Sequence, residues 1–235
     1  MKSSVFYRPR NLFKNVVEAM KKTKNEDRYW KLFEKYKAYT MIHRNPYCAN
    51  LDLINHFKET NGIIVECGVW RGGMLASIAE VLGPRREYHA FDSFEGLPEA
   101  KEKDGLEAKK WQENKESPSY YNNCSAGQEF VTEAMAIAKA IKFNTHKGWF
   151  EQTVPPFAKN AKEIAILRLD GDWYESTMVC LKYLVPLVVK NGIVIIDDYY
   201  DWNGCSRAVH DFLSNYDRPL KLKQWLNTVA YFKVN

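Results

Sequence analysis

Long apolar runs are missing from this 235-residue chain. No stretch approaches the roughly 18 consecutive apolar residues of a membrane-spanning helix, and the opening MKSSVFYRPR lacks the apolar centre of a signal peptide. A cytoplasmic protein without a membrane span is the expectation. Cysteine is scarce: the five residues at 48, 67, 124, 180 and 205 are odd in number and nowhere within four positions of one another. That spacing argues against a disulfide framework and a thiolate zinc site, and Cys67 and Cys180 read as small buried hydrophobes. A large charge surplus is also absent. Lys+Arg 34 against Asp+Glu 29 gives +5, too little to imply nucleic-acid binding without a local basic patch. The charge is uneven, however, with 12 basic and 4 acidic residues over 1–47 but 18 and 25 over 48–217.

What is present suits one core. At 46% hydrophobic and 27% charged, the chain is long enough for a single well-buried domain. Residues 1–61 read as a helical extension of that domain and a candidate lid. Apolar residues from Asn11 to about Thr40 recur at three and four spacings, giving two amphipathic helices, and a third spans about 50–59 before the stop signal Asn61-Gly62. Beyond it, strands at 63–67, 87–91, 142–146, 164–169 and 192–197 alternate with helices at 72–82, 127–141, 175–189 and 205–214. Such alternation predicts βαβ units, hence a mostly parallel α/β sheet with helices on both faces. Residues 219–233 read as two strands around Asn227-Thr228, an antiparallel pair at the sheet edge. Residues 95–125 are polar with few aliphatics and read as a lid or a disordered stretch.

Two places carry chemistry. The run Glu66-Cys67-Gly68-Val69-Trp70-Arg71-Gly72-Gly73 is a strand end, a glycine turn and a helix start, where backbone N–H groups face an electron-rich ligand. It departs from GxGxxG, which favours a nucleoside over a pyrophosphate, and it is equally readable as a plain tight turn. Asp92 closes the next strand, 20 residues beyond Gly72, where a carboxylate can accept both hydroxyls of a ribose. The second place is the pair Leu169-Asp170-Gly171-Asp172 and Ile196-Asp197-Asp198. Strand ends joined by one crossover helix lie side by side, so four carboxylates crowd together. Bare like charges that close are unfavourable, and an all-oxygen donor set suits Mg²⁺ or Mn²⁺. The five histidines are scattered and read as surface or core residues. The basic 1–47 segment reads as a solvated helix face, or as a surface that meets phosphates on an acceptor.

With these motifs the sequence resembles the macrocin O-methyltransferase family, metal-dependent S-adenosylmethionine enzymes that methylate sugar hydroxyls. The matching stretches are Glu66 to Gly73, Asp92 to Pro98, Gly148-Trp149-Phe150 with Thr153 and Pro155, Asp170 to Thr177, and Asp197-Asp198-Tyr199 with Gly204-Cys205. The resemblance implies a class I methyltransferase (Rossmann-like) sheet over residues 62–235. It implies S-adenosylmethionine on Glu66, Gly68, Gly72, Asp92, Ser93 and Gly148, with the metal on Asp170, Asp197 and Asp198. Asp172 would be the general base, although strand alternation would make it a further ligand. The implied partner is a small saccharide or glycosylated acceptor, with self-association left open. Two competitors are carried forward: a hydrolase or phosphotransferase built on the same aspartates, and a non-catalytic nucleoside-binding protein.

Overall fold

The computed structural model describes residues 26–234; the helix expected from Asn11 lies largely outside them. Eight α-helices and one seven-stranded sheet are present among the described residues. In chain order these are α1 (Glu26–Tyr36), α2 (Arg44–His56), β1 (Ile63–Cys67), α3 (Gly73–Leu82), β2 (Glu87–Asp92), α4 (Gly105–Glu113), α5 (Glu129–Ile137), β3 (Lys142–Lys147), α6 (Phe150–Ala158), β4 (Ile164–Leu169), α7 (Tyr174–Leu184), β5 (Val188–Ile196), α8 (Asn203–Asn215), β6 (Lys223–Trp225) and β7 (Val229–Lys233).

The strand order is β3-β2-β1-β4-β5-β7-β6. The first five strands are parallel, while β7 runs antiparallel to both β5 and β6. The expected edge hairpin is therefore present, and the order reverses between β1 and β4, which opens a crevice at their carboxyl ends. Strands β1 and β4 are buried along their whole length, because helices cover both faces. On one face Ile64, Tyr88, Ile166 and Ile195 pack with Tyr47, Leu75 and Val131 of α2, α3 and α5. On the other, Val65, Phe91, Leu167 and Val194 pack with Val154, Leu181 and Val209 of α6, α7 and α8.

The elements differ from expectation where local signals conflict. Helix α2 begins and ends earlier than 50–59. Helix α6 contains Pro155 and Pro156 and gave no helical signal, since proline removes a backbone donor. Residues 95–125 are not structureless. They hold α4, whose Ala108 is fully buried, in a small cluster with Ala100, Trp173, Trp111 and Trp202. Polar anchors do the rest: buried Asp104 accepts the backbone N–H of Tyr174 at 2.7 Å and of Lys101 at 2.8 Å, and Trp173 Nε1 donates to the Pro98 carbonyl at 2.9 Å.

Candidate active site

The carboxyl ends of β1 and β2 form one half of the site. Gly68 takes φ +85°, and a Cβ there would overlap the Asp170 carbonyl oxygen. This glycine lets β1 and β4 close on each other, with Gly68 N–H bonded to Phe91 O and Asp170 N–H to Cys67 O, both at 2.8 Å. Next to it, Trp70 and Phe94 sit at φ +48° and +59°, a left-handed region unfavourable to large side chains. Asp92 holds both: its Oδ2 accepts Trp70 N–H at 2.8 Å and its Oδ1 accepts Phe94 N–H at 2.7 Å. Burial raises the Asp92 pKa, and these backbone donors oppose the rise. A carboxylate accepts about four hydrogen bonds, so Asp92 keeps capacity for a ligand.

The other predicted cofactor residues fall in different positions. Ser93 lines the same cleft, but its hydroxyl is committed to its own turn, donating to Gly96 O and accepting from Glu95 N–H. Gly72, at φ +81°, begins α3 and faces Val131 of α5; Gly148, at φ +138°, donates to Asp92 O and faces Thr153. Neither lines the cleft, although their neighbours Trp70, Trp149 and Phe150 do. Glu66 is fully buried, paired with Arg168 at 2.6 Å. Burial pushes its carboxyl up to about 7, and its second oxygen has no hydrogen-bond partner.

The second half comes from β4 and β5. Asp172 sits at φ +53° in a tight turn closed by Trp173 N–H on Gly171 O at 2.5 Å, so the chain leaves the strand direction just after Asp170. Its backbone N–H donates to Asp198 Oδ2 at 3.0 Å. Oxygens of Asp170, Asp172 and Asp198 all lie within 4.8 Å of one another. Asp197 faces Arg168 instead, with Oδ1 2.6 Å from Nη2. Burial raises the pKa of Asp170 and Asp198, the aspartates around them raising it further. Burial also pushes Asp172 up to about 7, opposed by a hydrogen bond with the Trp202 side chain. Three half-buried or buried carboxylates at that separation are the donor set a hard divalent cation takes.

Both halves open into one cleft of about 790 Å³, within the roughly 300–1,000 Å³ of small-molecule sites. Its walls include residues to which the sequence gave no site role: Met41, Ile42 and His43 precede α2, and Trp111 and Cys124 come from the 95–125 segment. Tyr200 and Trp202, whose place after β5 offers rings that could stack on a sugar face or adenine or simply pack, line it too. Residues Tyr121, Asn122, Asn123 and Cys124 have four successive positive φ values, +47°, +53°, +56° and +60°. Asn123 pins this left-handed turn, its backbone O accepting Leu97 N–H at 3.0 Å and its side chain donating to Leu97 O at 2.7 Å. Gly96 leaves the room that the Asn123 carbonyl needs.

A family model described as Macrocin-O-methyltransferase (TylF) matches residues 2–233. The 8-demethyl-8-(2,3-dimethoxy-alpha-L-rhamnosyl)-tetracenomycin-C 4'-O-methyltransferase of Streptomyces olivaceus is 32% identical over 193 residues, 76% of this chain and 69% of that protein. The demethyldecarbamoylnovobiocin O-methyltransferase of Streptomyces niveus is 32% identical over 162 residues, 66% of this chain and 60% of its own length. Among solved structures, the O-methyltransferase NovP superposes with a TM-score of 0.69 at 28% identity, over 84% of this chain and 82% of that one. Calicheamicin methyltransferase CalS11 shares the fold, with a TM-score of 0.62 at 20% identity over 99% of both chains.

Proposed function

The chain belongs to the macrocin O-methyltransferase family and is an S-adenosylmethionine-using O-methyltransferase, and from that premise we propose that its acceptor is a hydroxyl of a saccharide or glycosylated metabolite, methylated in the cytoplasm with the help of a divalent cation. The observation that carries this reading is the carboxylate group of Asp170, Asp172 and Asp198 in the same cleft as Asp92. The relative named for a rhamnosyl-bearing acceptor supports the saccharide class.

In this reading Asp92 would orient the ribose of the cofactor, and it holds the turn at Trp70. Asp170, Asp197 and Asp198 would hold the cation, Mg²⁺ or Mn²⁺ by donor chemistry, with Asp197 taking part while its Oδ1 stays paired with Arg168, and the cation would supply charge that acidifies the acceptor hydroxyl. Asp172 accepts the acceptor proton. S-adenosylmethionine, when bound, would supply an electrophilic methyl group, which the acceptor oxygen would take as the carbon–sulfur bonding pair stays with sulfur. The 4.8 Å grouping also favours a second assignment, in which Asp172 is itself a cation ligand.

The test is transfer of labelled methyl groups from S-adenosylmethionine to a panel of glycosides, with and without chelator. Transfer that is specific to sugar hydroxyls and stops with chelator supports the reading. Transfer at the untreated rate after chelation removes the cation, and labelling only of non-sugar phenols removes the acceptor class.

A further inference from the structure

The cleft is built around a cation of its own. Arg168 lies at the penultimate position of β4, opposite Glu66 of β1, and is 1% exposed. Its guanidinium serves three carboxylates and an amide: Nη1 donates to Glu66 Oε1 at 2.6 Å and to Asp170 Oδ2 at 3.0 Å, Nε donates to Asn50 Oδ1 at 3.3 Å, and Nη2 forms an ion pair with Asp197 Oδ1 at 2.6 Å without hydrogen-bond alignment. Asn50 is a buried residue of α2, and its amide also reaches Asp197 Oδ1 at 3.4 Å and Pro46 O at 2.9 Å. One planar fork therefore connects the ends of β1, β4 and β5 and the helix that follows the cleft-lining segment 41–43.

Resting on the cation reading above, we infer that Arg168, braced by Asn50, is the positioning residue of the metal centre. It sets the separation of Asp170 and Asp197, which follow different strands, by hydrogen-bonding one oxygen of Asp170 through Nη1 and ion-pairing with one oxygen of Asp197 through Nη2. Two features separate this from plain core packing. The apolar core positions beside it need no charge, and burying an arginine is unfavourable unless its partners are fixed carboxylates. The grip is also geometric: in one rigid plane Nη1 hydrogen-bonds Asp170 while Nη2 ion-pairs with Asp197, which holds the two carboxylates at a defined spacing, whereas a lysine ammonium supplies a point charge without that spacing.

Arg168→Lys and Asn50→Ala separate the possibilities, read by Mn²⁺ binding in electron paramagnetic resonance, by S-adenosylhomocysteine affinity in calorimetry, and by thermal melting. Wild-type protein must bind Mn²⁺; if it does not, the cation reading fails before any variant is made. With wild-type binding established, Arg168→Lys should raise the Mn²⁺ dissociation constant tenfold or more, while S-adenosylhomocysteine affinity stays within about threefold. Asn50→Ala should weaken Mn²⁺ in the same direction by a smaller factor, and excess Mn²⁺ should restore kcat in that variant. A folded Arg168→Lys with unchanged Mn²⁺ affinity overturns the inference. Should Arg168→Lys not fold, Asn50→Ala decides it alone: Mn²⁺ affinity equal to wild type makes Arg168 a packing residue only.

Discussion

The backbone N–H of Asp172 donates to the carboxylate of Asp198 at 3.0 Å, tying the turn after β4 to the end of β5. That bond fixes where Asp172 can place its own carboxylate, and it makes the two assignments for that residue separable. As general base, Asp172→Asn should lower kcat about a hundredfold or more with Mn²⁺ and cofactor affinities near wild type. As a cation ligand, the same change should weaken Mn²⁺ binding and respond to excess metal. Asparagine keeps the backbone donor and the side-chain volume, so the turn itself survives the test.

Asp92 accepts two backbone donors from residues in left-handed conformations, so it does two jobs at once. Asp92→Ala should leave both N–H groups without an acceptor, at about 1–3 kcal/mol each, and lower Tm by several degrees. Affinity for S-adenosylhomocysteine should fall at least tenfold. Asp92→Asn keeps one acceptor oxygen and should melt between the two. A folded Asp92→Ala that binds the cofactor at wild-type strength would confine Asp92 to holding the turn.

Strand ends were the most legible part of this chain. Asp92, Asp170, Asp172, Asp197 and Asp198 each stand just after or at the end of an apolar or β-branched run, and parallel pairing then forces them to one edge. Gly68 was legible as a glycine for a different reason than the one the structure gives, because its missing Cβ makes room for the Asp170 carbonyl. Of the two readings of the 95–125 segment, a lid or a disordered stretch, the second missed α4, because its apolar contacts are few and Asp104, Gln112 and Asn123 supply polar anchors that no periodicity announces. Asn50 left no trace in the sequence, since its partners Arg168 and Asp197 are more than a hundred residues away.

Two of the five histidines, His89 and His146, have a structural role on the β2–β3 side of the sheet. His89 Nδ1 meets His146 Nε2 at 2.9 Å, His89 Nε2 meets Glu87 Oε1 at 3.1 Å, and His146 stacks on Phe91 with ring centres 4.1 Å apart. One ring must donate and the other accept, so the contact survives a proton on one ring and is lost when both rings are imidazolium. Burial lowers the pKa of both, His146 to about 4. A folded pKa below the unfolded value of roughly 6.5 means no effect above that pH and a loss of stability as pH falls from about 6.5 toward 4, where the unfolded chain takes up protons first. Urea midpoints of wild type and His146→Phe should therefore converge as pH drops through that window. Parallel curves would show that the pair does not titrate in this way.

Asp104 offers the clearest handle on the 95–125 segment. Its two oxygens accept the backbone N–H groups of Tyr174 and Lys101, and a Cβ on Gly204 would press against it, so it joins the segment to the starts of α7 and α8. Asp104→Ala removes both acceptors while leaving Trp173 bonded to Pro98. Stability should fall by about 1–3 kcal/mol. Because α7 begins just after Asp172 and α8 just after Trp202, the loosening should also reach the cleft: KM for the acceptor should rise more than the cofactor dissociation constant. Limited proteolysis between 99 and 125 should be faster in the variant than in wild type without ligand. Equal cleavage rates would mean that the tryptophan cluster of Trp111, Trp173 and Trp202 holds the segment without help, and the strain in the left-handed turn at Asn123 would then be borne by Gln112 and Leu97 alone.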